Sequence, residues 1–283
     1  MVWNIPKHIM NACDGSILFE IPACYDAAKV QPAIREGWKV DAVHNQLDPG
    51  RVTLDSAPAE CCCNLPECDS PRATPCTILG FVHVTLAPGW KSIFQELIAL
   101  IKCSGLYDRS ETIWVGLLGP APEQFEYRDL KLNVVYHGAD LRRFEFPTLE
   151  LLQNSCYRPS CLCYYLHLKG VFSERQYPNV GNWRKYMQYF VVERHQECIA
   201  ALRTHDVCGV NWQRHPWPHF SGNFWWATAE YIRTLPRISD VAQSYRWNAE
   251  RWIGMGREIS VMCLHQSHIN HYLQSYPKEA YVK

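Results

Sequence analysis

From residue 77 onward, short apolar runs alternate with segments whose apolar residues return every three to four positions. That alternation limits the fold more than any other feature of the chain. Residues 78–86 (ILGFVHVTL) read as a buried strand. A helix should follow, with Trp90, Ile93, Phe94, Leu97, Ile98 and Ile101 on one face and an end before Gly105. Residues 112–118 and 132–136 read as the next two strands, residues 147–154 as a helix, and residues 162–168 as a fourth strand. A long helix is predicted over 183–202, capped by Asn182, then a strand over 207–212 and a helix over 227–235. Strands alternating with helices imply a mostly parallel, Rossmann-related α/β sheet with helices on its faces. Ligands of such sheets sit at the carboxyl ends of strands. The residues just after Leu168 and Trp212 are therefore the first to question.

Residues 1–76 differ in character. They are rich in Pro, Ala, Cys and Asp, lack periodicity, and read as an extension without a specified fold, leaving 77–283 as the α/β domain. The first residues show no apolar core of a signal peptide, and no run is long enough for a spanning helix, so a soluble, cytoplasmic protein is expected. The chain has 28 basic and 28 acidic side chains, a balance that removes the electrostatic footprint of a nucleic-acid binder. Its 14 cysteines include a cluster at Cys61, Cys62, Cys63 and Cys68, but the paired spacing of a zinc knuckle is missing. Cys156, Cys161 and Cys163 flank a strand and read as small buried hydrophobes.

Three constellations could carry chemistry. In Tyr164-Tyr165-Leu166-His167-Leu168-Lys169-Gly170 an apolar strand ends abruptly in His, Lys and Gly. Lysine can neutralise a phosphate and glycine lets a ligand approach the backbone, although a lysine also simply marks where a strand meets water. Gly181-Asn182-Trp183-Arg184-Lys185 reads as a helix start with basic residues, where a bound anion would offset their clash with the macrodipole. His215 and His219 have metal-ligand spacing only on a helix, which Pro216 and Pro218 forbid. The aromatic residues around Ser221, Gly222 and Asn223 suggest instead a platform for a flat polar ligand, with an aromatic core as the plainer reading of the rings. His265, His268 and His271 would not converge if helical. Serine-hydrolase, P-loop and dinucleotide signatures are missing, as is any Asp-x-Asp.

Several of these segments, in order, resemble a known family. They are Ser104-Gly105-Leu106-Tyr107-Asp108, YYLHLKG, Asn182-Trp183-Arg184 with Met187, Cys208-Gly209-Val210-Asn211, HFSGNFWWA and Ala249-Glu250-Arg251-Trp252-Ile253. Together they are similar to glycosyltransferase-like proteins related to rhamnan-synthesis and other polysaccharide-biosynthesis enzymes, over residues 78–254, with Leu168 where the family pattern has Thr. The resemblance implies a GT-A-like nucleotide-diphosphosugar transferase fold, a nucleotide-sugar donor and a glycan or other acceptor. It also implies that His167, Lys169, Gly170 and Arg184 bind the donor diphosphate in place of a metal held by Asp-x-Asp. No metal cofactor is then required. Ser221, Gly222, Asn223, Trp225 and Trp226 would bind the sugar or acceptor, with Glu250 or His219 as catalytic base. The contrasting expectation is a non-catalytic glycan- or nucleotide-binding relative.

Overall fold

The computed structural model describes residues 77–120, 129–157, 160–171 and 177–282. The extension over 1–76 and its cysteine cluster lie outside the described residues. Seven strands form one sheet in the order β3-β2-β1-β4-β8-β5-β9. They are β1 (Thr77–Thr85), β2 (Thr112–Leu118), β3 (Leu132–Tyr136), β4 (Cys161–His167), β5 (Val207–Gly209), β8 (Trp225–Thr228) and β9 (Val261–Cys263). A separate ribbon pairs β6 (Trp212–Gln213) with β7 (His219–Phe220). The pairings β1–β2, β1–β4, β2–β3 and β5–β9 are parallel. β8 runs antiparallel to both β4 and β5, so the sheet is mostly parallel, as expected, with one strand reversed.

Both faces of the sheet are covered, because side chains alternate across each strand. Val82, Val84, Tyr164, Leu166 and Trp226 face one core, with Phe94, Leu97 and Ile101 of α1 (Trp90–Cys103) and with the helical segment after β4. Phe81, Cys163, Tyr165 and Trp225 face the other, with Phe146, Leu149 and Leu152 of α3 (Phe146–Ser155). The short α2 (Leu106–Arg109) follows α1. The strand order reverses direction at β1: β2 and β3 extend to one side, β4 to the other. The carboxyl ends of β1 and β4 therefore frame a topological switch point, where open α/β sheets bind ligands.

Three predicted elements differ. The helix expected over 183–202 starts earlier, as α4 (Asn179–Gln188), passes through a wider π turn at Tyr189–Glu193 and resumes as α5 (His195–Ala201). A 3.6-residue period has no place for the extra residue of such a turn. Asn182 is consequently inside the helix and donates to Ser275 Oγ at 2.8 Å instead of capping. The strand over 207–212 stops at Gly209, and Asn211 takes a positive φ of 53°. The helix over 227–235 is the end of β8 followed by α6 (Ala229–Ile232), whose start Thr228 caps by accepting from Tyr231 N–H.

Candidate functional site

At the switch point, His83 of β1 and His167 of β4 are register partners. His83 is buried, its Nδ1 2.8 Å from Thr148 Oγ1 and its Nε2 3.3 Å from Thr85 Oγ1. Burial lowers its pKa to about 4, against the pull of Glu145. Thr148 reaches this position because Gly116 of β2 has no side chain; a Cβ there would lie 2.2 Å from Thr148 Oγ1.

Glu145 stands immediately before α3, at its N-cap. Its Oε2 accepts from Tyr165 OH at 3.1 Å and from Asn223 Nδ2 at 2.5 Å, and its Oε1 lies 4.0 Å from His167 Nδ1. Burial opposes its charge, but His167 and His83 when they are protonated, Arg246 and the Asn223 bond hold its carboxyl below the usual range.

The loop before β8 closes the site. Gly222 (φ 95°) and Asn223 (φ 59°) both take left-handed backbone, which glycine and asparagine tolerate best. Through this turn three side chains are tied together. Gly222 N–H donates to Glu250 Oε1 at 3.0 Å, Gly222 O accepts from His167 Nε2 at 2.9 Å, and Asn223 holds Glu145. Glu250 belongs to α7 (Trp247–Arg251).

Lys169 follows β4, with Gly170 (φ 90°) forming its turn. The ammonium sits 3.9 Å from the centroid of the Trp183 ring and 5.9 Å from that of Tyr272. Burial brings its pKa down to about 8; Glu250 and Glu145 oppose the shift and Arg246 adds to it.

The structure thus brings His167, Lys169, Gly222, Asn223 and Glu250 to one place and leaves other expected residues elsewhere. Arg184 is buried, donating to Lys169 O at 2.9 Å and pairing with Glu96 at 3.6 Å, so it braces the turn rather than facing a diphosphate. Ser221 N–H donates to Asn211 O and supports the loop. Trp225 and Trp226 are 0% exposed, on opposite faces of the sheet. Trp225 stacks on Tyr165, and Trp226 packs on Tyr164 with its Nε1 donating to Val191 O. Alternation along β8 turns each ring into a core, which corrects the aromatic platform. His219 lies in the β6–β7 ribbon, its Nδ1–H given to Trp217 O at 2.8 Å. His265 and His271 lie outside any helix, and both rings pack on Tyr186.

Sequence reasoning missed Glu145 and His83. The signal for Glu145 was Pro147, a first-turn residue that marks the helix start and so puts Glu145, two residues earlier, at the N-cap. Among the described residues no group of three His, Cys, Asp or Glu side chains could hold a metal, and no helix is long and apolar enough to cross a membrane.

Residues 103–276 match a family described as a domain of unknown function, DUF8361. That is more than half of the chain, and the protein belongs to this family. No curated protein matches it.

Proposed function

We propose that the protein is a glycosyltransferase that moves a sugar from a nucleotide-diphosphosugar to a glycan or other acceptor hydroxyl, on a GT-A-like variant of the Rossmann-related sheet. One observation carries the reading: two carboxylates and a lysine converge at the switch point, where such sheets take their ligands. Glycosyl chemistry needs a proton acceptor beside the sugar and positive charge on the departing diphosphate.

In this reading Lys169 meets the diphosphate, with Arg246 close enough to share its field. The acceptor oxygen bonds to the anomeric carbon while the bond from that carbon to the diphosphate breaks. The nucleoside diphosphate departs with the electron pair, and the acceptor proton passes to Glu250. Gly222 N–H occupies Oε1 of Glu250 and orients the carboxylate, which leaves Oε2 for the acceptor. The side chains of Trp183 and Tyr272 wall the Lys169 side and, by excluding bulk water, strengthen the attraction of its ammonium for an anion.

The test is release of nucleoside diphosphate from UDP-, GDP- and dTDP-sugars by the wild-type protein and by Glu250→Gln. The variant should lose about 10²-fold or more in kcat with donor affinity kept. Binding without release from the wild type would favour a non-catalytic relative, and unchanged turnover in the variant would remove Glu250 as base.

A further inference from the structure

Two hydrogen-bond acceptors face each other in this site. Gly222 O can only accept, so His167 Nε2, 2.9 Å away, carries the ring hydrogen. In the neutral ring Nδ1 then presents a lone pair. It points toward Glu145 Oε1 at 4.0 Å, while the other oxygen of Glu145 is taken by Tyr165 and Asn223. Burial, helped by Lys169, favours the neutral ring over the pull of Glu145, the Gly222 carbonyl and Glu250. Both side chains keep some contact with solvent, at 12% and 17% exposure. His83, packed alongside, has both ring nitrogens engaged by Thr148 and Thr85 and serves as a wall.

We propose that Glu145 Oε1 and His167 Nδ1 form a subsite for a vicinal diol of the ligand, each accepting from one of two adjacent hydroxyls. A single hydroxyl has one hydrogen and would leave the second acceptor opposite a lone pair; neighbouring hydroxyls satisfy both. The bond to the carboxylate is the stronger, being charge-assisted. The inference rests on the sugar-nucleotide reading and deepens it. In that ligand the diol comes either from the ribose or from the transferred sugar.

Calorimetry separates the two sources. UDP-glucose is compared with dTDP-glucose, which lacks the ribose 2′-hydroxyl, and UDP-glucose, UDP-galactose and GDP-mannose are each compared with their 2-deoxy-sugar counterparts. Loss of the recognised hydroxyl should weaken binding about 10-fold or more, and Glu145→Gln should shrink that difference to about threefold or less. Nitrogen NMR at pH 7 should find His167 neutral with hydrogen on Nε2. A doubly protonated ring, or deoxy analogues that all bind within about twofold of their parents, would overturn the subsite. If none of the nucleotide sugars binds, the function proposed above fails by itself. The His167 Nδ1 signal during titration with ribose and methyl glucoside then decides the subsite: a shift supports it and constancy overturns it.

Discussion

Asn223 joins site and core in one residue. Its Nδ2 orients Glu145 and its Oδ1 accepts from Trp225 Nε1 at 2.8 Å. The alanine variant would leave that buried indole N–H without a partner, at a cost of about 1–3 kcal/mol, and would free Glu145. Asn223→Ala should therefore lower both the melting temperature and ligand affinity, measured on the same preparation. Trp226 contrasts with it. With its ring wholly inside one core, Trp226→Ala should destabilise by about 3–5 kcal/mol in denaturant titrations. Whatever fraction remains folded should bind ligand normally, since the ring does not face the crevice; selective loss of affinity without loss of stability would reinstate the platform reading.

At the level of elements, legibility followed how local each signal was. Strands β1 to β4 were readable to within a residue or so, because each is a short apolar run bounded by breakers; β1, β2 and β4 are largely buried, while β3, at the sheet edge, leaves Val134 and Tyr136 exposed. His167 and Lys169 were readable because they end such a run. Gly222 and Asn223 were readable as a polar interruption among aromatics. His83 was hidden inside the β1 run, and Glu145 meets the other residues only through contacts with Tyr165, His167 and Asn223, distant from it in sequence. The antiparallel β8 was also hidden, since WWAT suits a strand or the start of a helix equally well. The loop that follows from this pairing is tightly packed. A Cβ on Gly222 would lie 2.4 Å from Met187 Sδ, at a φ that alanine adopts poorly. Gly222→Ala should thus displace the backbone groups that bind Glu250 and His167, lowering ligand affinity by about 10-fold or more while far-ultraviolet circular dichroism stays native.

Over the whole molecule, burial of neutral histidines ties stability to pH. His83, His137 and His271 have pKa values brought down to about 4, chiefly by burial, from an unperturbed 6.5. Between these values the unfolded chain binds protons that the folded one refuses, so stability falls as pH drops from about 6.5 toward 4. Each such histidine adds up to about 1.4 kcal/mol per pH unit to the slope. Urea midpoints measured from pH 7.5 to 4.5 should decline across this window, and His83→Gln should flatten the decline; a midpoint independent of pH would contradict the buried neutral rings. The most direct measurement concerns the switch-point crevice itself. Titration calorimetry of UDP-, GDP- and dTDP-sugars, with EDTA present, should show binding of at least one donor to the wild-type protein. Lys169→Ala should weaken that binding by about 1.5–3 kcal/mol, and binding of the free nucleoside much less. No binding to any of these donors, or binding that appears only when Mn²⁺ or Mg²⁺ is restored, would contradict a sugar-nucleotide site in which Lys169 supplies the charge.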